Sequence, residues 1–443
     1  MNLEPGTKIA LLGKNSAHWI LSDLAVMMAG HVTVPLYPTL TGDGARQILE
    51  HSESKLVFVG KLDDWGELKN GIPKGMPIIE LPLAPPTGAP KWEQIVAETE
   101  PLEENVFRDP GELATLIYTS GTTGTPKGVM INFSAMIDAA KGAADRVEIS
   151  SNDRLISYLP LAHCYERLAV ESSSIFNNIH VFFAESLDTF VADLQRARPT
   201  FFCSVPRLWV KFQAGVFAKV PKDKLERLLS IPIVSWLVRR KVLKGLGLDK
   251  TRVAISGAAP LPEEVILWYH SLGLELLEAY GMTENFAYSH GNPPGDIRVG
   301  TVGTPASGVE TRISEEGEVL VKSLGTMMGY YKAPEMTAEV LTEDGFLRTG
   351  DLGVIDEDGY LRITGRVKEL FKTSKGKYIS PSTIENLLMN HPLVEQACVC
   401  GLGYDQPFAL IMPSEEVRRD MADGTGKERI AGELEKLIEQ VNA

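Results

Sequence analysis

The sequence contains little cysteine. Four cysteines among 443 residues are too few for a disulfide framework, so free thiols in a reducing, cytoplasmic location are expected. Cys164 and Cys203 stand alone in the sequence. Cys398 and Cys400 lie in an apolar, strand-like run with no second pair of metal ligands nearby, and buried cysteines are predicted there rather than a metal site. A small secreted protein held together by disulfides is therefore excluded.

Long apolar runs are also missing. The start of the chain lacks the basic patch and apolar stretch of a signal peptide. The most apolar surface candidate, residues 228–238, is interrupted by two serines and a proline, and it is too short for a bilayer span of about 20 residues. Four basic residues follow it: Arg239, Arg240, Lys241 and Lys244. One alternative is an amphipathic helix in peripheral contact with a membrane. A helix packed on the protein body is favoured, because such stripes are more often core.

An excess of positive charge is absent. The 44 Lys and Arg are outnumbered by 58 Asp and Glu, which gives a net charge of −14. Such a chain would repel phosphate backbones, so no nucleic-acid partner is expected. A local basic pocket for a phosphorylated small molecule stays compatible with this balance. With 44% hydrophobic and 23% charged residues, the chain has the composition of a globular protein with a large core.

The first half of the chain alternates strand and helix signals. Short apolar runs at 8–13, 31–36 and 55–59 are separated by a helical pattern and by polar segments, and Asn15 is placed to cap the first helix. This alternation predicts βαβ units and a largely parallel sheet. Residues 73–90 contain six prolines and are predicted to form a surface connection.

The pattern of strand and helix signals changes after about residue 300. Asp344-Gly345 and Asp358-Gly359 predict hairpins. A helix beginning at Pro381, an apolar strand at 394–400 and a charged helix at 427–441 indicate a small α+β unit.

One glycine- and hydroxyl-rich segment follows a predicted strand: residues 118–128, YTSGTTGTPKG. Three glycines expose backbone amides, five Ser and Thr hydroxyls add donors, and one lysine adds charge, so the segment could wrap a polyphosphate. A hydroxyl-rich turn of no special purpose is the alternative. The segment is not a Walker A loop, because Pro126 precedes the lysine and Gly128 follows it.

This segment resembles the phosphate loop of the adenylate-forming superfamily of AMP-binding enzymes. Four further segments match motifs of that superfamily in the same order: 256–261 (SGAAPL), 278–284 (EAYGMTE), 348–351 (RTGD) and 365–369 (GRVKE). Within the superfamily, residues 158–163 (YLPLAH), 205–209 (VPRLW) and 377–381 (KYISP) look most like the long-chain fatty acyl-CoA synthetases. Five ordered motifs are far more specific than any one alone.

The resemblance implies a fold and a reaction. The fold is α/β, with a large N-terminal domain (residues 1–366) of mixed, mainly parallel sheets with flanking helices, and a small α+β C-terminal domain (367–443). In the reaction, a fatty acid attacks the α-phosphate of ATP to give acyl-AMP and pyrophosphate, and CoA then takes the acyl group and releases AMP. The family often forms homodimers.

The resemblance also implies roles for single residues. The nucleotide-binding set would comprise Thr119, Ser120, Gly121, Thr122, Thr123, Gly124 and Lys127 for the phosphates, Gly257, Ala258, Glu278, Ala279, Tyr280 and Gly281 for the adenine, and Asp351 and Arg366 for the ribose. Thr119 and Glu284 would hold Mg²⁺. The catalytic set would be His163 beside the carboxylate, Thr283 at the α-phosphate, Glu284, and Lys368 at the hinge. Lys372, Lys375, Gly376 and Lys377 would form the loop on the CoA side, although a merely solvated loop is an alternative.

Two departures from the family pattern stand out. Few residues precede the first matched strand, and no counterpart of the family's C-terminal P-T-x-K lysine is found before Val441. The small domain is therefore expected to be incomplete, and weak adenylation is expected, since losing one such contact costs a factor of about 10² to 10³.

Two other functions remain open: an acyl-AMP ligase that delivers to a carrier protein, and a catalytically weakened protein that binds nucleotide or acyl groups. The sequence does not identify the residues that would bind the acyl chain. The aromatic pair Phe201-Phe202 and similar segments are predicted to be core.

Overall fold

A computed structural model describes residues 3–101, 106–119, 126–389, 391, 393–414, 417–418, 421 and 427–442. Its strands are β1 (Lys8–Leu12), β2 (Val32–Leu36), β3 (Leu56–Val59), β4 (Ile78–Glu80), β5 (Leu113–Thr119), β6 (Lys127–Asn132), β7 (Arg154–Ser157), β8 (His180–Phe183), β9 (Phe201–Ser204), β10 (Val253–Ser256), β11 (Leu276–Tyr280), β12 (His290–Gly291), β13 (Thr304–Pro305), β14 (Glu310–Ile313), β15 (Glu318–Lys322), β16 (Gly329–Tyr330), β17 (Leu347–Ile355), β18 (Leu361–Arg366), β19 (Phe371–Lys372), β20 (Tyr378–Ile379), β21 (Val394–Cys400) and β22 (Phe408–Pro413).

The helices surround these strands. They are α1 (Ala17–Met28), α2 (Gly42–Ser52), α3 (Trp92–Glu98), α4 (Phe133–Val147), α5 (Cys164–Glu166), α6 (Ser173–Asn177), α7 (Phe190–Ala197), α8 (Pro206–Phe217), α9 (Lys222–Leu229), α10 (Pro232–Leu246), α11 (Glu263–Ser271), α12 (Pro334–Val340), α13 (Pro381–Met389) and α14 (Lys427–Asn442). A π-helical segment, Arg167–Ser172, joins α5 to α6.

Two sheets of the large N-terminal part are mixed and mainly parallel. The first has the order β16-β6-β5-β2-β1-β3-β4, in which β1 pairs in parallel with β2 and β3 while β5, β6 and β16 pair antiparallel. The second has the order β13-β12-β11-β10-β9, and β9, β10 and β11 are parallel. Continuous apolar sequences such as KIALL and LVFV form these strands because both faces of the sheet are buried. The predicted α/β class is confirmed.

An antiparallel sheet and a small C-terminal unit follow. The sheet β14-β15-β17-β18 contains the predicted Asp358-Gly359 hairpin between β17 and β18. The small unit contains the two-stranded ribbons β19-β20 and β21-β22 together with α13 and α14, which is the predicted α+β arrangement.

Two local predictions are wrong. The hydroxyl of Ser16, not the side chain of Asn15, caps α1 by accepting from the amide of Trp19. Asn15 is buried and instead donates to Ser157 Oγ (2.7 Å), because the loop before α1 faces the end of β7. The proline-rich segment 73–90 is not only a connection, since β4 lies within it and pairs in parallel with β3.

The prediction of buried cysteines at 398 and 400 is also wrong, although all four cysteines are free as expected. Cys398 is exposed and Cys400 is partly exposed, and their sulfurs lie 3.8 Å apart. Strand residues alternate between faces, and β21 directs Ala397 and Val399 to the core of the small unit, so both cysteines lie on the opposite face.

Candidate active site

The ends of two parallel strands bring the predicted adenine-binding segments together. Ser256 at the end of β10 pairs with Glu278 of β11, so Gly257 and Ala258 emerge next to Ala279 and Tyr280. The carboxyl edge of adjacent parallel strands is the usual position of ligand sites in open α/β sheets.

Gly257 lies in close contact with an aromatic ring. A Cβ atom at this position would lie 3.1 Å from Cζ of Tyr165, so the absence of a side chain lets the ring approach. Ala258, with φ of +69°, is one of the residues in the left-handed region that L side chains rarely adopt. Such strained backbone next to a strand end is typical of ligand-binding positions.

A hydrogen-bonded chain joins the predicted adenine and ribose residues. The hydroxyl of Tyr280 donates to Asp351 Oδ2 (2.6 Å), and Arg366 Nε lies 2.9 Å from Asp351 Oδ1. Asp351 and Arg366 are cross-strand partners in β17 and β18. Burial raises the pKa of Asp351, and its hydrogen bond with Tyr280 and the guanidinium of Arg366 oppose that shift. The result is a carboxylate held in one orientation by two neighbours.

A tight turn after β11 positions Thr283 and Glu284. A Cβ atom on Gly281 would lie 2.5 Å from the carbonyl carbon of Ala287, so only glycine permits this approach. The chain then forms a 3₁₀ turn over Thr283–Asn285. This geometry explains the glycine in the predicted EAYGMTE motif.

His163 lies near the turn that contains Thr283, because the next residue in the sequence, Cys164, contacts Thr283. Cys164 Sγ lies 3.5 Å from Thr283 Oγ1, and the His163 ring accepts at Nδ1 from the amide of Tyr165 (3.1 Å). Burial lowers the pKa of His163, so the imidazole is held neutral at physiological pH. Its Nε2 then carries the proton and can donate to an acceptor.

Lys127 and Glu284 share one aromatic residue. The ammonium of Lys127 lies 5.3 Å from the centroid of the Tyr330 ring, and the hydroxyl of Tyr330 donates to Glu284 Oε1 (2.8 Å). The two motifs meet because β16, which carries Tyr330, pairs with β6, which begins at Lys127. The Tyr330 ring thus contacts the ammonium of Lys127, and its hydroxyl contacts the carboxylate of Glu284.

Only the ends of the phosphate loop belong to the described part of the chain. Thr119 at the end of β5 pairs with Lys127 at the start of β6. The remaining predicted phosphate ligands, Ser120, Gly121, Thr122, Thr123 and Gly124, lie outside the described residues.

Glu278 is a buried carboxyl at the same strand end. Its Oε2 has no hydrogen-bond partner among the described residues, and burial raises its pKa to about 7. An unpartnered buried acceptor is costly unless a ligand donor satisfies it.

The predicted hinge and CoA-side residues are exposed. Lys368 lies in a 3₁₀ turn, Val367–Glu369, directly after β18. Lys372, Lys375 and Lys377 lie on or between β19 and β20, with Gly376 at φ +82° in the turn. Among the described residues, no hydrogen bond or ion pair joins the ribbon β19–β20 to Thr283 or Glu284. The structure therefore does not bring the CoA-side lysines into contact with these two predicted catalytic residues.

Two tyrosines of the site were not predicted from the sequence. Tyr165 contacts Gly257, and Tyr330 lies between Lys127 and Glu284. Tyr165 lies two residues after the end of the predicted YLPLAH segment, which is a weak signal. Tyr330 is 46 residues from Glu284, and only the pairing of β16 with β6 places it in the site.

The chemistry of the donor set at Glu284 fits Mg²⁺. This cation retains several waters and is usually bound by one or two carboxylates together with substrate phosphates. Glu284 supplies a carboxylate of which one oxygen is engaged by Tyr330, and Thr119 supplies a hydroxyl at the end of β5. No group of three or more His, Cys, Asp and Glu that could form an all-protein metal cage exists within the described ranges.

Comparisons with known proteins define the class. The AMP-binding enzyme family matches residues 1–331, and the AMP-binding enzyme C-terminal domain matches residues 369–443. The chain therefore belongs to the family of AMP-binding, adenylate-forming enzymes, as the sequence motifs predict.

Individual relatives refine this picture. The long-chain-fatty-acid–CoA ligase FadD15 of Mycobacterium tuberculosis is 31% identical over 438 residues, which cover 90% of this chain and 72% of that protein. The peroxisomal long chain acyl-CoA synthetase 6 of Arabidopsis thaliana is 31% identical over 480 residues and covers 98% of this chain, with 68% of its own length matched.

Solved structures show the same fold. ATP-bound MatB from Rhodopseudomonas palustris has a TM-score of 0.73 at 26% identity, covering 93% of this chain and 78% of that one. The anthranilate CoA ligase AuaEII in complex with anthranoyl-AMP has a TM-score of 0.77 at 22% identity, covering 96% and 81% respectively. The second likeness concerns the fold alone.

Proposed function

We propose that the protein activates a long-chain fatty acid with ATP and transfers the acyl group to CoA. The carboxylate oxygen attacks the α-phosphorus, the bond to pyrophosphate breaks, and acyl-AMP forms. The CoA thiol then attacks the acyl carbon, loses its proton and expels AMP. The relatives that carry this activity in their names support the choice of acid and acceptor.

The observation that carries the proposal is the meeting of separate motifs at residues 283–284. Thr283 contacts Cys164 next to His163, while Glu284 is bonded to Tyr330 beside the ammonium of Lys127. These contacts link the turn at residues 283–284 to the segment of the neutral imidazole through Cys164, and to the ammonium of Lys127 through Tyr330.

We assign the nucleotide to the strand ends. Asp351 would accept the two ribose hydroxyls, with Arg366 as its cationic partner and Tyr280 fixing its orientation. The adenine would lie against Tyr280 and the backbone of Gly257 and Ala258, and its amino group would satisfy the unpartnered oxygen of Glu278.

We assign the phosphates to the other side of the site. Lys127 and the loop from Thr119 would hold the β- and γ-phosphates, and Thr283 would donate to the α-phosphate. When bound at Thr119 and Glu284, Mg²⁺ would neutralise charge that builds on the phosphates. The neutral His163 would donate a hydrogen bond from its Nε2–H to the attacking carboxylate and so orient it, while the proton stays on the imidazole.

The small unit supplies the second half of the reaction in this proposal. Lys368 at the end of β18 would be the hinge, with the domain boundary between residues 366 and 367. The ribbon with Lys372, Lys375, Gly376 and Lys377 would approach the CoA phosphates after rotation of the small domain. A homodimer stays a prediction that sedimentation would check.

A pyrophosphate-release assay over acids from acetate to stearate, with benzoate, tests the substrate class. The proposal expects the highest kcat/KM with long-chain acids and a mass-spectrometric acyl-CoA product. Supplying an acyl carrier protein instead of CoA tests the alternative acceptor. Binding of ATP by calorimetry without turnover would contradict the proposal and favour a binding protein. Release of ADP instead of AMP would also contradict the proposal, because the proposed reaction forms AMP.

A further inference from the structure

Two thiols lie side by side on the outward face of β21. Cys398 is exposed, Cys400 is partly exposed, and their sulfur atoms are 3.8 Å apart. Residues two apart in a strand project from the same face, which explains why the two side chains meet. Their cross-strand partners on β22, Leu410 and Phe408, are exposed as well. Small molecules in solution can therefore reach this pair of sulfurs.

The other two cysteines have a different environment. Cys164 and Cys203 are buried, and burial raises the pKa of each thiol to about 12. The thiolate is the reactive form of cysteine, so these two thiols are protected from oxidants by both their burial and their protonation. Thiol chemistry of the folded protein is therefore expected at Cys398 and Cys400.

The geometry of the pair permits a disulfide but strains it. A strand rises about 3.3 Å per residue, so the Cα atoms of residues two apart are separated by about 6.6 Å. Disulfides span Cα separations up to about 6.8 Å, and closure would bring the sulfurs from 3.8 Å to about 2.05 Å. Strained and exposed disulfides are the ones that are readily reduced again. The pair is thus suited to reversible oxidation rather than to a permanent cross-link.

The two thiols also influence each other's ionisation. The hydrogen bond with Cys400, followed by the charge of that sulfur, raises the pKa of Cys398. When one of two adjacent thiols ionises, the other keeps its proton more firmly. The pair therefore offers one thiolate to attack an oxidant and one thiol beside it to complete the reaction.

We propose that Cys398 and Cys400 form a redox modification site, which a peroxide oxidises to a disulfide within β21 and which small thiols reduce. One thiolate attacks an oxygen of hydrogen peroxide, the O–O bond breaks, and the hydroxide that leaves takes up a proton to form water. The second sulfur then loses its proton and attacks the sulfenic acid, whose S–O bond breaks to release a second water. Two thiols are oxidised and one peroxide is reduced, and thiol–disulfide exchange restores both thiols.

The loop after β21 joins this site to the ribbon β19–β20. Gly401 directly follows Cys400, and a Cβ atom on this glycine would lie 3.3 Å from Cε2 of Phe371 in β19. Further along the loop, the carbonyl of Tyr404 accepts from the amide of Ser374 (3.0 Å), which lies between β19 and β20. Closing the disulfide must shift the end of β21, and these contacts pass the shift to the ribbon. An effect of oxidation on the CoA step follows from this, and that consequence rests on the proposed function.

Mass spectrometry of the full chain after treatment with hydrogen peroxide tests the site. Trypsin cleaves after lysine and arginine, so residues 378–418 form one peptide that contains both cysteines and no other. We expect this peptide to lose the mass of two hydrogen atoms and to regain it with dithiothreitol. The peptides that contain Cys164 or Cys203 should stay reduced.

The single variants C398S and C400S are the matched controls. Neither can close the disulfide, so the remaining thiol should gain oxygen or link two chains, and thermal melts check that both variants fold. The proposal would be overturned if the parent peptide 378–418 stayed reduced or carried only added oxygen. It would also be overturned if Cys164 and Cys203 were oxidised to the same extent.

Hydrogen exchange of residues 371–380 tests the link to the ribbon. We expect faster exchange in the oxidised parent chain than in the reduced one, because the bond between Ser374 and Tyr404 loosens. C398S treated with peroxide in the same way should show no such change. Equal exchange in the oxidised and reduced parent would overturn the link. Neither measurement needs turnover, so failure of this site can be distinguished from failure of the proposed function.

Discussion

At the scale of the residue, the candidate site depends on a few side chains with defined partners. Asp351 is the clearest case, since Tyr280 and Arg366 both bind its carboxylate and leave it one orientation toward the strand ends. Asp351, the glycine before it and Arg366 could be predicted from their motifs. The tyrosine hydroxyl that orients it could not be placed, because it comes from a strand of another sheet.

Replacing this carboxylate tests the ribose assignment. Asp351→Asn removes the charge that would accept two ribose hydroxyls, and a hydrogen bond to a charged group contributes about 1.5–3 kcal/mol. We therefore expect kcat/KM for ATP to fall between about tenfold and a hundredfold. Asp344→Asn is the matched control, because Asp344 is exposed and also paired with an arginine, Arg312 (2.8 Å). Equal kcat/KM in the two variants would contradict the assignment.

A second buried carboxyl should make stability depend on pH. Glu166 accepts from Asn15, from Ser157 Oγ (2.8 Å) and from the amide of Tyr158, and burial raises its pKa from 4.5 to about 8. The folded state therefore keeps this proton to a higher pH than the unfolded chain. Its stabilising contribution is complete below about pH 4.5 and is lost as the pH rises through about 8.

Glu166→Gln isolates this contribution. The variant should lose part of the decrease in the free energy of unfolding between pH 4.5 and 8, by at most about 1.4 kcal/mol per pH unit. Urea unfolding at several pH values measures it, with exposed Glu343→Gln as the control. An unchanged slope in Glu166→Gln would show that Glu166 ionises alike in both states.

At the scale of the element, continuous apolar runs made these strands predictable to within one residue at each end. The run 8–13 became β1 (Lys8–Leu12), and the run 394–400 became β21 with the same bounds. The exposed Cys398 was not predictable, because an apolar strand with one open face has the same composition as one buried on both. Strand pairing across the sheet, which places Tyr330 beside Lys127, also leaves no local signal.

The turn after β11 should tolerate no side chain at Gly281. Gly281→Ala would place a methyl group 2.5 Å from the carbonyl carbon of Ala287 and displace Thr283 and Glu284. We expect a loss of about 1–3 kcal/mol in stability together with a loss of adenylation rate. Gly215→Ala is the control, since this glycine lies within α8 with nothing near its Cβ position, and alanine there should stabilise by up to about 1 kcal/mol. Full adenylation activity in Gly281→Ala would contradict the positioning role of the turn.

The lysines of the exposed ribbon β19–β20 should affect the binding of CoA and not the reaction with ATP. In K375Q/K377Q two cations that would face the CoA phosphates are lost, so KM for CoA should rise several-fold and more at low salt. Pyrophosphate release with hydroxylamine as acyl acceptor should stay unchanged. Exposed lysines of the first half, in K55Q/K69Q, provide the control. A parallel loss in both half-reactions would count against a role limited to CoA.

At the scale of the whole molecule, two sheets and the antiparallel sheet β14-β15-β17-β18 bring one group of polar residues together. The order of five motifs was sufficient to predict the α/β class and the adenylate-forming family, which the family matches at 1–331 and 369–443 confirm. The sequence could not show how the motifs touch, because Lys127, Glu284 and Asp351 are brought together only by non-local strand pairing.

A crystal structure with a non-hydrolysable long-chain acyl-adenylate analogue would show directly whether the nucleotide binds at the ends of β10, β11 and β17. We expect the ribose hydroxyls within hydrogen-bond distance of Asp351, the adenine against Tyr280 and Gly257, and the phosphate-like group beside Thr283. A purine bound at any other place, or an acyl chain that leaves His163 out of contact, would contradict it.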